Sequence, residues 1–128
     1  PVNNSTTLQN DDDLKWSVTA NGIWAFSLYL RFNSGATPDI KFGWTYPAGT
    51  TMVWYSPNII GGGTAEYTQT SVVGEAGFAP ANVVQIYKGV VIVGNADGTI
   101  QLQWAQNVAD ASDTKVLANS YIILHKLA

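Results

Sequence analysis

The chain of 128 residues contains no cysteine. It can therefore form neither disulfide bridges nor thiolate metal sites, which excludes the disulfide-stapled small domains and the zinc fingers. Charge is also scarce, because Asp, Glu, Lys and Arg together make up 12% of the residues, against about 25% in a typical soluble domain. Interface cores are depleted in charge, so we expect part of this surface to be buried against other subunits.

Other features that are missing argue against two further kinds of partner. The six Lys and Arg residues are scattered and the net charge is −3, so there is no basic stripe to neutralise phosphates. Residues 1–10 are polar and contain no apolar run like that of a signal peptide, and apolar runs such as residues 90–93 are far too short to cross a bilayer. We therefore expect no nucleic-acid partner, no membrane partner, and assembly in a reducing cytosol.

The chain does contain a regular alternation of large apolar residues with small or polar ones. In residues 23–32 the large apolar side chains of one phase are Trp24, Phe26, Leu28, Leu30 and Phe32. Successive side chains of a strand face opposite sides of a sheet, so this pattern predicts a half-buried β-strand whose core phase begins at Trp24. Alternation and β propensity predict further strands at residues 14–19, 39–45, 51–55, 65–73, 83–93, 99–107 and 116–127.

Two of these segments are apolar in both phases. Residues 90–93 are predicted to be buried on both sides, and Lys88-Gly89 is expected to bend or divide the strand before them. Residues 121–127 are predicted to be central in a sheet, because an apolar terminal strand at a free edge promotes aggregation. One face of this strand would contact the core and the other a neighbouring subunit. The predicted subunit-interface residues are Tyr121, Ile123, His125 and Leu127.

Eight to ten short strands, with turn signals roughly every 8–12 residues, indicate an all-β protein. The predicted architecture is a single-domain jelly-roll β-sandwich covering residues 14–128, preceded by a polar N-terminal arm at residues 1–13. Asn21-Gly22 is predicted to form the turn of a tight hairpin, because both residue types tolerate positive φ angles.

Side chains suited to catalysis are few. His125 is the only imidazole and no Gly-x-Ser-x-Gly elbow accompanies it, so its expected role is packing in the core or in an interface. Glu66, Glu75 and Asp39 leave a glycoside-hydrolase pair open, although their spacing favours such a pair no more than a solvated surface. We predict that the protein is not an enzyme.

Binding sites for ions and phosphates have little support in the sequence. Residues 61–64 are rich in glycine but lack the Lys that a phosphate loop requires. Residues 11–13, Asp97, Asp110 and Asp113 would bind Ca²⁺ only if their loops converged, and Asp is commoner as a turn former. We predict no cofactor and no metal, with calcium as the open alternative.

The longest loops lie within residues 56–82, and long loops on a rigid sheet often carry recognition. Aromatic residues beside these loops would form either a sugar-stacking platform or ordinary core and subunit packing. The candidate ligand-contact residues are Trp54, Tyr55 and Tyr67, with Tyr29 and Tyr46 as further aromatic residues off the main core phase.

Several segments resemble small β domains of tailed-phage virion proteins, which include head-decoration and fibre-tip proteins. The likeness is carried by residues 4–14 (NSTTLQNDDDL), 20–26 (ANGIWAF), 37–42 (TPDIKF), 47–49 (PAG), 98–107 (GTIQLQWAQN) and 116–121 (VLANSY). Related domains often have Gly in the bend before the last strand, where this chain has Asn119, which also tolerates a left-handed backbone. The resemblance implies a trimer with a jelly roll like that of tumour necrosis factor.

The resemblance also implies a function. The expected protein is a non-enzymatic virion component, assembled in the bacterial cytoplasm, whose homotrimer decorates and stabilises a capsid. Its partners would be copies of itself and the major capsid protein or a fibre shaft. The alternative is a receptor- or carbohydrate-binding tip of a fibre, which would contact a host-surface glycan through the loops of residues 56–82.

Overall fold

The computed structural model describes residues 1–57 and 65–128, and every regular element within them is a β-strand. The strands are β1 (Gln9–Val18), β2 (Ile23–Asn33), β3 (Ile40–Thr45), β4 (Thr51–Tyr55), β5 (Glu66–Thr68), β6 (Val73–Glu75), β7 (Val83–Ile92), β8 (Gly98–Gln106), β9 (Lys115–Val116) and β10 (Tyr121–Lys126). The predicted all-β class is confirmed. The glycine-rich residues 61–64 lie outside the described residues.

The strands form two antiparallel sheets that pack face to face as a β-sandwich. The four-stranded sheet has the order β1-β8-β3-β6 and the six-stranded sheet has the order β10-β2-β7-β4-β5, with β9 pairing to the end of β2. The partners β1–β8, β2–β7, β3–β6 and β4–β5 are nested, so the chain is one long hairpin wrapped into two sheets. Such a wrapped hairpin is a jelly roll, to which β9 and β10 are added beside β2.

The inner faces of the two sheets enclose one apolar core. The alternation in β2 holds from Phe26 to Phe32, where every second side chain is buried. Aromatic rings fill the middle of the sandwich: the Trp54 ring centroid lies 5.9 Å from that of Phe42 and 5.5 Å from that of Tyr87, in tilted and edge-to-face arrangements. Such ring pairs add about 0.5–1.5 kcal/mol beyond the area that they bury.

The predicted central position of the C-terminal strand is wrong. β10 is an edge strand, and in the described chain it pairs only with β2. Ile122 and Leu124 pack against the core, while Ile123 on the opposite face is 60% exposed. Periodicity identifies which faces of a strand are apolar, but it does not identify the strand's neighbours.

The predictions for residues 83–93 also need correction. Val91 and Val93 are buried, whereas Val90 and Ile92 are exposed, so this segment is covered on one side only. The strand does not break at Lys88-Gly89. β7 runs without interruption through Gly89. The residue at this position has to be glycine, because a Cβ there would stand 2.6 Å from the Cβ of Trp54.

Smaller differences appear elsewhere. Residues 65–73 contain β5 and the first residue of β6 rather than one strand. Trp24 is only partly buried, at the margin of the core beside Lys126, whose Nζ lies 5.8 Å from the ring centroid. Within residues 1–13, Gln9 begins β1, and Val2 is buried and bridges to Thr114.

The predicted hairpin at Asn21-Gly22 is wrong, because β1 and β2 belong to different sheets. The predicted left-handed backbone is confirmed at Asn21, with a φ of 62° in the turn between β1 and β2, and at Asn119, with a φ of 67° in the bend before β10. Both residues adopt the left-handed conformation that Asn tolerates better than most residue types.

Candidate subunit interface on the outer sheet face

The outer face of the six-stranded sheet is built by the second phase of its strands. The register places Ile123 of β10 beside Ser27 of β2, Lys88 of β7 and Tyr55 of β4, in one row across the sheet. The next row contains His125, Ala25, Val90 and Val53 in the same order of strands. Residues two apart on a strand share a face, so the whole outward set follows from these two rows.

Most of the exposed large apolar side chains of the described residues lie on this face. Eight of eleven such side chains belong to it, each of them 38–60% exposed: Val53, Tyr55, Val84, Val90, Ile92, Tyr121, Ile123 and Leu127. Leu127 follows β10 in the outward phase and donates its backbone N–H to the carbonyl of Ile23 (2.8 Å). We call this surface the apolar face.

The outer face of the four-stranded sheet has the opposite character. Its outward side chains are Lys15 and Ser17 of β1, Lys41 and Thr45 of β3, and Thr99, Gln101 and Gln103 of β8. Hydrogen bonds cross this face, including one of 2.8 Å from Gln103 Nε2 to Asn10 Oδ1. We call it the polar face. The two faces cover one core, and only one of them offers an apolar surface for contact.

A shallow trough of about 290 Å³ lies in the apolar face. Small residues, Ala25 and Ser27 of β2, line it together with Gly89, and larger side chains rise around them, among them Tyr55, Ile123 and His125. Two aromatic rings reinforce the neighbouring surface, because Tyr29 and Tyr121 stack with centroids 4.9 Å apart and planes 13° apart. The face therefore combines a recess with projecting apolar side chains.

The apolar face contains few charged groups, and one of them, Lys88, lies near its centre, between Ser27 and Tyr55 in a row across the sheet. Lys88 lines the trough, and Glu66 of β5 lies opposite Tyr55 at the far edge of the sheet. The Arg31 guanidinium is directed to the main chain, where Nη1 donates to the carbonyl of Ala118 (2.6 Å). These groups leave the valine and isoleucine side chains between them uncovered.

The structure separates the three candidate ligand-contact residues. Trp54 is completely buried, and its Nε1 donates to the carbonyl of Thr68 (2.8 Å). Tyr67 is partly buried and packs on Trp54, with ring centroids 4.9 Å apart. Only Tyr55 presents an exposed ring, and it belongs to the apolar face. These three residues do not form an aromatic platform.

The predicted interface residues Tyr121, Ile123, His125 and Leu127 all lie on the apolar face and are exposed. Sequence reasoning missed Val53, Val84 and Ile92, which belong to the same surface. A signal was available for Val53, because the alternation of residues 51–55 that buries Met52 and Trp54 directs Val53 outward.

The carboxylates considered for hydrolysis have structural partners. Glu75 accepts hydrogen bonds from the Tyr87 hydroxyl and from Gln85 Nε2 (3.2 Å), and burial raises the pKa of its carboxyl. Asp39 Oδ1 accepts from the backbone N–H of Gly77 (2.9 Å). Glu66 is exposed in β5, in the other sheet from Glu75. No acid–base pair is assembled from these described groups.

The aspartates considered for calcium cap turns and loops. Asp11 Oδ1 accepts from the backbone N–H groups of Asp13 and Leu14, and Asp97 Oδ1 accepts from that of Ala20. Asp110 Oδ1 accepts from the N–H and the hydroxyl of Ser112, and these bonds lower the pKa of Asp110. In the part of the chain that the structure describes, no group of three or more His or acidic residues is placed to hold a metal ion.

Comparisons with known proteins give no relatives for this chain. No family model, no curated protein and no solved structure matches it. No helix among the described residues is long and apolar enough to span a membrane.

Proposed function

We propose that this protein is a non-enzymatic structural subunit whose copies associate through the apolar face. The observation that carries the proposal is the concentration of exposed valine, isoleucine, leucine and tyrosine side chains on one of two otherwise comparable sheet faces. Apolar surface removed from water stabilises a contact by about 25 cal/mol per Å². An uncovered apolar face on a charge-poor chain is thus a favourable site for self-association.

The size of the apolar face supports this proposal. Eight large side chains, each roughly half exposed, present on the order of 600 Å² if a large side chain offers about 150 Å², the lower end of the range for aromatic residues. The largest apolar patch of a typical monomer is about 300–600 Å². A standard protein interface buries about 800 Å² on each partner, polar groups included, so these side chains supply most of the area of one stable contact.

The proposed setting is a tailed-phage virion, and the proposed assembly is a homotrimer that decorates and stabilises the capsid. This part rests on the resemblance of residues 4–14, 20–26 and 98–107 to phage β domains, and the jelly-roll topology is compatible with it. Its partner beyond itself would be the major capsid protein or a fibre shaft. Electron microscopy of the native particle tests this setting: density for the chain on the capsid lattice supports it, and density at a fibre tip favours the receptor-binding alternative.

The self-association is tested by two lysine substitutions on the apolar face. Val53→Lys with Ile92→Lys places two charges on half-exposed positions away from β10. The matched control is Ser17→Lys with Thr99→Lys, a cross-strand pair of exposed residues on the polar face. Sedimentation and native mass spectrometry should show wild type and control as one assembly and the apolar-face variant as a smaller species. Equal masses for all three proteins would overturn the proposal.

A further inference from the structure

Among the residues that the structure describes, the sandwich has four edge strands, and three of them are protected from pairing with another chain. Short strands, charged residues and bulges are the usual means of protection. β5 and β6 contain only three residues each. β1 is longer, but its register with β8 shifts between Asn10 and Lys15, and this irregular stretch contains three consecutive aspartates.

β10 has neither the short length nor the register shift of the other edge strands, and its one lysine, Lys126, is the last residue of the strand. Its six residues stay in unbroken antiparallel register with β2, from Tyr121 opposite Tyr29 to Lys126 opposite Trp24. The sequence YIILHK contains no Pro, no Gly and no acidic residue. β9 pairs with Phe32 and Asn33, farther along β2. It lies on the same side of β2 as β10 does, so it does not pair with the open side of β10.

The hydrogen-bond pattern shows which backbone groups face outward from β10. Leu127 N–H donates to the carbonyl of Ile23 (2.8 Å), so the N–H of Leu127 is directed towards β2. Hydrogen-bonded and non-bonded positions alternate in an antiparallel pair, so the backbone groups of Ile122, Leu124 and Lys126 are directed away from β2. These three residues supply donors and acceptors to the open edge.

We propose that β10 pairs antiparallel with β10 of a second copy across a two-fold axis, joining two six-stranded sheets into one. The register that uses all three outward residues places Leu124 opposite itself and Ile122 opposite Lys126. It also keeps the two Lys126 residues about 14 Å apart along the strands, at roughly 3.4 Å per residue, so like charges do not face each other. Strand addition of this kind takes its affinity from main-chain hydrogen bonds.

A second copy of this chain is the occupant that fits the surroundings of the edge. Tyr121 and Ile123 of β10 form the margin of the apolar face, so pairing would continue this face without interruption from one copy to the next. Pairing would also make β10 an interior strand, which suits a segment apolar in both phases. This contact is separate from the face contact proposed above, and the two contacts together would join two trimers into an assembly of six chains.

The edge contact is tested in the Val53→Lys, Ile92→Lys protein, where the face contact is disrupted. We expect this protein to be a dimer and the further change Lys126→Pro to make it monomeric, because proline lacks the edge-directed N–H and blocks the approach of another strand. Lys126→Ala is the matched control, since it removes the same contact with Trp24 but keeps the N–H, and it should remain dimeric. A monomer before Lys126 is changed, or a dimer that survives Lys126→Pro, would overturn the inference.

A distance series tests the geometry without relying on the proline variant. The native chain has no cysteine, so single spin labels can be placed through Ile123→Cys, Lys88→Cys and Tyr55→Cys, which lie in one row across the sheet. With strands about 4.8 Å apart, edge pairing increases the distance between equivalent labels by roughly 19 Å from β10 to β7 and by roughly 10 Å more to β4. Distances between equivalent labels are measured by double electron–electron resonance. If they do not increase from Ile123→Cys to Lys88→Cys to Tyr55→Cys, the two-fold edge contact is refuted, and the face contact is unaffected.

Discussion

The two outer faces of this sandwich differ although they cover the same core. On the polar face, serine, threonine, glutamine and lysine alternate with buried Trp16, Phe42 and Leu102. On the apolar face, valine, isoleucine and tyrosine occupy the equivalent outward positions between buried residues such as Leu28 and Val91. Both patterns fold into regular strands, so folding alone does not require the outward residues of β4, β7 and β10 to be apolar.

This difference bears on function because the outward phase of a sheet is free to vary once the inward phase fills the core. An apolar outward phase exposes surface that favours association. The contrast between the faces therefore distinguishes residues that stabilise the fold of one domain from residues that are available to contact a second copy. Trp54 and Tyr55 show it most simply, because they are neighbours in β4 that face opposite sides.

The largest effect expected in the isolated domain is that of Trp54→Ala. Trp54 is fully buried among Phe42, Tyr67 and Tyr87, so its removal leaves a cavity costing about 3–5 kcal/mol of unfolding free energy. Tyr55→Ala on the apolar face should cost less than about 1 kcal/mol in the monomer. Urea unfolding at concentrations low enough to avoid association measures both, and equal losses would remove the distinction between the two phases of β4.

The sequence predicts the sandwich well because its main signal is local. The alternation of Phe26, Leu28 and Leu30 identifies a strand and its inward face without knowledge of any neighbour. The same signal does not reveal that β10 is at an edge or that Ile92 is uncovered. Both facts depend on which strands lie beside β10 and β7. Pairing between strands that are far apart in the sequence leaves no periodic pattern of apolar residues from which it could be predicted.

The candidate interface was partly predictable for the same reason. Tyr121, Ile123, His125 and Leu127 share one phase of one strand, so the pattern alone groups them. Joining them to Val53 and Ile92 requires the order β10-β2-β7-β4. Trp54 was misjudged because its position near a long loop indicated exposure, whereas the alternation with Met52 places it inside.

A smaller effect is expected where aromatic rings stack on the apolar face. Tyr121→Ala removes the stack with Tyr29, which should lower the unfolding free energy by about 1 kcal/mol and weaken self-association. Tyr121→Phe keeps the rings and should behave as wild type in both measurements. For the polar face, Thr99→Ala should change neither quantity beyond about 0.5 kcal/mol. A loss of association in Thr99→Ala would mean that both faces contribute to assembly.

The smallest effect concerns Glu75, which belongs to the four-stranded sheet and reaches Tyr87 of the other sheet. Burial raises the pKa of Glu75 in the folded state above its ordinary value of 4.5. The folded protein therefore holds this proton more tightly than the unfolded chain, and the resulting stability is present below pH 4.5 and lost as pH rises through the folded pKa. Asp110 and Asp113 have lowered pKa values, so their contribution is lost only at more acidic pH.

Glu75→Gln should accordingly gain stability relative to wild type between pH 4.5 and pH 8. The variant keeps an oxygen that can accept from the Tyr87 hydroxyl and carries no charge to desolvate, although its amide nitrogen cannot accept the hydrogen bond from Gln85 Nε2. Melting temperatures across this range measure the effect, and Glu66→Gln, a change at an exposed carboxylate in β5, is the control. A variant that is less stable than wild type by the same amount at every pH would show that the charged carboxylate is itself the link between the sheets.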